Sequence, residues 1–226
     1  MTPDPLIVAL DVNSQAEAAA LVEKLGEECG FYKVGMELYA AAGMDVVRWL
    51  QAQRKSVFLD MKYYDIGETV KRAVSIVAAS GVRFLTVHGS STVMRAAVEG
   101  RQNSLLRLLA VTVLTSFDEQ DLRDQGYPCT VSELVALRVR NAMAAGMDGI
   151  VASPLEARSI RELAGGEALI VTPGVRSATA SPGDQKRVAT PREAIDNGAD
   201  YLVIGRQVTR APDPAAALRQ IREELA

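Results

Sequence analysis

Short apolar runs recur along the whole chain, and each is followed by a stretch with helical spacing. The runs are Leu6–Leu10, Phe31–Val34, Val57–Leu59, Phe84–His88, Leu106–Leu114, Gly149–Ala152, Ala168–Val171 and Tyr201–Ile204. Runs of this length, bounded by Gly, Pro or charge, suit buried strands. Between them the apolar residues return every three or four positions. Ser14-Gln-Ala-Glu17 has capping-box spacing ahead of an Ala/Leu/Glu-rich helix. Further helices are expected from Met36 to Gln53, from Glu68 to Ser80 with Gly81 behind it, and over Val131–Ala145. Ser153-Pro154 and Thr190-Pro191 each look like a helix start with Pro at the first helical position. A polar loop is expected over 116–130, with one short helix around Glu119–Arg123, and the longest irregular stretch over 172–189. Strand and helix alternate without a break in composition, which implies a parallel sheet with right-handed crossovers. Eight such units predict a (β/α)8 TIM barrel, one domain over residues 1–226. An open doubly wound sheet is the alternative. No strand–Gly-x-Gly-x-x-Gly–helix signature supports it.

Composition narrows the class. Hydrophobic residues make up 48% of the 226 and charged residues 23%, as in ordinary globular proteins. With 25 Lys and Arg against 28 Asp and Glu the formal charge is −3, which argues against a nucleic-acid or polyanionic partner. Cys29 and Cys129 are far apart and read as thiols of a reducing compartment. Met-Thr-Pro-Asp-Pro at the start has neither a basic segment nor a long apolar run. No stretch approaches the ~18 apolar residues of a membrane span. A cytoplasmic protein without membrane contact is expected.

The charged residues among these runs decide where chemistry belongs. Val57-Phe58-Leu59 runs into Asp60, Lys62 and Asp65. Asp60 and Lys62 are two apart, so on a regular strand they share a side. Charges at the end of a buried strand are costly unless they pair with each other or with a ligand. A barrel's active site lies at the C-terminal strand ends. There stand Asp11, Lys33, Asp60, Lys62, His88, Thr115, Arg176 and Arg206; the opposite strand ends look bland. Lys33/Asp60 and Lys62/Asp65 form an alternating set in which each charge has an opposite neighbour. Asp65 also has a plainer reading as the N-cap of the next helix. Arg176, Arg206 and the Gly205 amide suit a phosphate on the loops after strands seven and eight. His88 is the only histidine and is expected to be hydrogen-bonded scaffold.

These residues carry a resemblance. Asp60-Met-Lys62-Tyr-Tyr-Asp65-Ile66 resembles the Asp-x-Lys-x-x-Asp signature of orotidine 5′-monophosphate decarboxylases. The similarity continues through Leu-Asp11, Tyr-Lys33-Val-Gly35, Val-Thr-Val-Leu-Thr115-Ser, Thr172-Pro-Gly-Val-Arg176, Gly183-Asp-Gln185 and Val-Ile-Gly205-Arg206. Tyr63-Tyr64 and Gly67-Glu68 stand where most members have Phe-His and Pro-Asn. The resemblance implies a cofactor-free (β/α)8 homodimer that turns orotidine 5′-monophosphate into uridine 5′-monophosphate and CO2. It implies Lys62, Asp60, Asp65 and Lys33 as catalytic residues, with Lys62 protonating C6. Asp11 and Lys33 are implied to hold the ribose, and Thr115 to read the pyrimidine edge. Ile66 is implied as a substrate contact, while Asp65 and Thr69 complete the neighbouring subunit's site. Arg176, Gln185, Gly205 and Arg206 are implied at the phosphate. Related sugar-phosphate enzymes share the third-strand motif but hold Mg2+ with carboxylates, and Lys33 in place of an acidic residue would repel the metal. No metal is expected. A non-catalytic phosphate binder on the same scaffold is the other alternative.

Overall fold

In the computed structural model, which describes residues 4–177 and 189–225, the apolar runs become eight parallel strands in one closed barrel. They are β1 (Leu6–Ala9), β2 (Phe31–Gly35), β3 (Ser56–Tyr63), β4 (Phe84–His88), β5 (Arg107–Val111), β6 (Gly149–Val151), β7 (Leu169–Pro173) and β8 (Tyr201–Ile204). Each pairs with its sequence neighbour, and β8 closes on β1. The helices between them are α1 (Gln15–Leu25), α2 (Met36–Ala52), α3 (Gly67–Ala79), α4 (Ser91–Arg101), α5 (Glu119–Asp124), α6 (Val131–Ala145), α7 (Ala157–Ala164), α8 (Pro191–Asp196), α9 (Arg206–Thr209) and α10 (Pro214–Glu223).

Alternation along the strands splits the apolar residues into two cores. Val8, Tyr32, Val34, Leu59, Leu85 and Ile170 face the helices. Ile7, Phe31, Phe58, Phe84, Leu109, Val171 and Tyr201 fill the barrel interior. Phe84 lies at the centre of the lower layer, 5.1 Å from the Phe31 ring and 5.2 Å from that of Tyr201, both edge-on. The Arg83 guanidinium caps this layer from below, 5.0 Å from the Phe31 centroid, and Nη2 donates to the Tyr201 hydroxyl at 2.9 Å. Two residues beyond Phe31, Phe58 and Phe84 come Lys33, Asp60 and Thr86. The same alternation therefore aims polar groups into the barrel one layer higher.

Helix ends follow local sequence chemistry. Ser14 Oγ accepts from the Glu17 N–H, and Thr130 and Thr190 each form a reciprocal capping box with Glu133 and Glu193. At Gly100 any side chain is excluded, because a Cβ would lie 2.3 Å from the Lys71 carbonyl; α4 packs on α3 at backbone distance there.

The structure corrects sequence expectations at one helix start and at the lower strand ends. Ser153-Pro154-Leu155-Glu156 is a turn, and α7 starts only at Ala157. Ser153 Oγ accepts from the Leu155 N–H and Glu156 Oε2 from the Ser153 N–H, so local side-chain bonds compete with the helix. The lower strand ends are charged: Asp148 pairs with Arg101 and Arg107, and Asp200 with Arg161. Their carboxylates also accept the Leu108 and Ile170 N–H groups at 2.8 and 2.7 Å, which makes them braces of β5 and β7. The short helix α9 has no forerunner in the sequence pattern. No helix among the described residues is long and apolar enough to cross a membrane.

Candidate active site

The C-terminal mouth of the barrel holds a cavity of about 460 Å³. Asp11, Lys33, Asp60, Lys62, Thr115, Arg176, Gly205 and Arg206 all line it. Glu37, Ser116 and Arg210 line it as well. Gln185 lies outside the described residues. Asp65, Ile66 and Thr69 do not line their own chain's cavity.

The charges on one wall form a connected set. Lys33 Nζ donates to Asp11 Oδ1 at 2.8 Å and stands 3.8 Å from Asp60 Oδ2. Lys62 Nζ lies 2.9 Å from both Asp60 oxygens. Asp60 is thus shared by two ammonium groups. Burial alone would raise its proton affinity, but Lys33 and Lys62 outweigh that and hold it below the ordinary carboxylate range. Gly35 leaves the room this needs, since a Cβ there would lie 3.0 Å from Lys33 Nζ and 3.2 Å from Asp11 Oδ1.

Lys62 reaches Asp60 by a route that simple alternation does not describe. It has φ +48°, a left-handed conformation that costs a non-glycine residue about 1–3 kcal/mol. The β3–β4 register shifts between Leu59 and Tyr63, so residues 60–62 bow out of the ladder. The expected Lys62/Asp65 pair is not formed within the chain; Lys62 pairs with Asp60. Asp65 is exposed, and its Oδ1 accepts the Ile66 N–H at 2.6 Å. It is not the N-cap of α3, a position Ile66 occupies.

The same cavity also holds a cationic pair, Arg176 and Arg206. Burial and the neighbouring Arg206 both lower the proton affinity of Arg176, so two guanidinium groups share a confined space. A bound anion relieves that repulsion, and a phosphate matches the guanidinium fork. The charge set and the arginine pair line one cavity.

The Tyr63-Tyr64 pair now has a physical account. Tyr63 packs against the helix-side core, and Tyr64, 68% exposed, stacks on His88 with ring centroids 4.3 Å apart. The histidine is held by this stack rather than through Nδ1, which meets no hydrogen-bond partner among the described residues. Burial and the Arg138 charge lower its proton affinity. Sequence reasoning missed Thr86, fully buried, whose hydroxyl contacts Asp60 and the Lys62 backbone. Its signal was position, two residues beyond the inward-facing Phe84.

The family model described as Orotidine 5′-phosphate decarboxylase / HUMPS family matches residues 4–221. The chain belongs to this family. Orotidine 5′-phosphate decarboxylase of Rhodopseudomonas palustris (strain ATCC BAA-98 / CGA009) is 50% identical over 223 residues, 99% of this chain and 94% of that one. Its namesake in Bradyrhizobium sp. (strain ORS 278) is 51% identical over 223 residues, 99% of this chain and 92% of its own. The crystal structure of orotidine 5′-phosphate decarboxylase from Lactobacillus acidophilus superposes with TM-score 0.86 at 36% identity, covering 98% of each chain. Agreement with the decarboxylase family therefore extends over nearly the whole barrel.

Proposed function

We propose that this protein is an orotidine 5′-phosphate decarboxylase, a carboxy-lyase that converts orotidine 5′-monophosphate to uridine 5′-monophosphate and CO2. One observation carries the reading in a chain of this family. The Lys33–Asp60–Lys62 set and the Arg176/Arg206 pair line one cavity, so a reacting base and a phosphate each meet chemically suited groups there.

In the proposed reaction the C6–carboxylate bond breaks and its electron pair stays on C6. Lys62 Nζ gives a proton to that carbon, CO2 leaves, and the lysine regains a proton from solvent. Asp60 faces the departing carboxylate and orients Lys62 through both oxygens. The ammonium is in place before charge develops, so little reorganisation accompanies the step. Lys33 and Asp11 hold the ribose hydroxyls, and Thr115 reads the pyrimidine edge. Arg176, Arg206, the Gly205 amide and Gln185 grip the phosphate. Binding energy from that remote end is available to orient the base and exclude water.

The subunit partner is a second copy of the chain. Asp65 lies between Tyr64 and Ile66, which are 68% and 73% exposed. An apolar strip around a carboxylate that does not line its own cavity suits a residue that serves a neighbour's site. We assign Asp65 and Thr69 that role, with Ile66 contacting substrate beside them. A cytoplasmic location fits the two free thiols, of which the buried Cys29 resists ionisation.

The metal-dependent sugar-phosphate chemistry of related barrels fits less well. Lys33 Nζ stands between Asp11 and Asp60, the space a cation would need. The test is loss of orotidine 5′-monophosphate absorbance with and without chelator. Equal rates in both support the proposal. Activity abolished by chelator points to the metal enzymes, and no activity with either points to a phosphate-binding protein.

A further inference from the structure

At the bulge, Leu59 pairs with Leu85 and Tyr63 with Val87, so β3 advances four residues while β4 advances two. Thr86 lies opposite the gap. Its Oγ1 accepts the Lys62 backbone N–H at 2.9 Å. That N–H can only donate, so the hydroxyl proton is directed to Asp60 Oδ1, also at 2.9 Å. The same oxygen receives Lys62 Nζ at 2.9 Å. The result is a closed ring: Lys62 backbone, Thr86 hydroxyl, Asp60 carboxylate and Lys62 ammonium. A left-handed non-glycine residue persists only when its surroundings over-determine it. Here the hydroxyl takes the place of the missing ladder bonds.

We infer that Thr86 is a positioning residue for the decarboxylation, fixing Lys62 and Asp60 in one geometry through a single buried hydroxyl. This rests on the decarboxylase reading above. Thr86 does not line the cavity, so it acts through the other two residues. It suits the task because branching at Cβ restricts χ1 and fixes where the hydroxyl points. It is fully buried, which keeps both hydrogen bonds out of competition with water. Its bond to Asp60 also contributes, behind the two lysines, to the low proton affinity of that carboxylate.

The test compares wild type with Thr86→Val, Thr86→Ala and Thr86→Ser, using orotidine 5′-monophosphate as substrate and thermal melts as the fold control. Valine keeps the shape and removes the hydroxyl. Expected for Val and Ala is a kcat lower by roughly 10- to 100-fold, since two hydrogen bonds to the charged set are lost. KM should change little because the arginines are untouched. The acid limb of the pH–kcat profile should move upward as Asp60 loses a donor, and Ser should recover most of the rate. Wild-type kcat and an unmoved acid limb in Val or Ala would overturn the inference while the decarboxylase reading stands. So would a Ser variant as slow as Val, or Val and Ala variants that both fail to fold. A wild-type protein without activity would overturn the decarboxylase reading and this inference with it.

Discussion

At the residue scale, Lys62 joins a strained backbone to a chelating ion pair. Its ammonium meets both Asp60 oxygens while its φ is left-handed. Neither property is visible from spacing alone. That Asp60 and Lys62 belong to one charged set at a strand end was legible, whereas the expected partner of Lys62 was Asp65. The bulge was not legible, because it depends on how β4 pairs with β3. His88 offers a pH test of a neighbouring contact. Burial and Arg138 lower its proton affinity, so the fold favours the neutral ring. In the unfolded chain the ring takes up a proton near its ordinary value of 6.5. The contribution is therefore present above about pH 6.5 and is lost as pH falls through the lower, folded value. His88 is the only histidine, so its substitution isolates the imidazole part of any slope in this window. We predict that the melting temperature rises as the pH is raised toward about 6.5 and that His88→Phe flattens this rise. An equal slope in the variant would contradict the assignment.

At the element scale, β2, β3 and β4 each serve as floor and as site. Phe31 then Lys33, Phe58 then Asp60, and Phe84 then Thr86 place an aromatic ring low in the barrel and a polar group above it. This two-residue period made the barrel and much of the site readable in the sequence. It also contains Thr86, which carries no charge to mark it among the strand residues. Helix starts were readable where side chain and backbone cooperate, as at Ser14, Thr130 and Thr190. At Ser153-Pro154 the same cue failed, since the Ser153 and Glu156 side chains close a turn first. The lower strand ends were misjudged because Asp148 and Asp200 gain their partners from helices distant in sequence. Arg101 and Arg161 come from α4 and α7. Closure of the ring draws on similar long-range pairs. Arg222 on α10 binds Asp4 at 2.9 Å and Glu28 at 2.8 Å, tying the last helix to the first strand's entry.

At the scale of the whole molecule, the cavity wall built from one chain lacks Asp65, which the exposed Tyr64 and Ile66 flank. The proposal gives a quantitative expectation for mixed dimers. Lys62→Ala and Asp65→Ala protomers, each inactive alone, form mixed dimers with one site containing an intact Lys62 and the neighbour's intact Asp65. Random exchange then restores about a quarter of wild-type activity, because half the dimers are mixed and each has one working site. No recovery on mixing, with mixed dimers verified, would place Asp65 in its own chain's site. The central claim is proton delivery to C6 by Lys62 after loss of CO2. It is tested most directly by running the reaction in D2O and recording the proton spectrum of the product, with wild type and with folded Lys62→Ala. The expected result is uridine 5′-monophosphate carrying deuterium at C6 from the wild type, and no product above background from the variant. Turnover by Lys62→Ala at the wild-type rate, or no uridine 5′-monophosphate from the wild type, would contradict it.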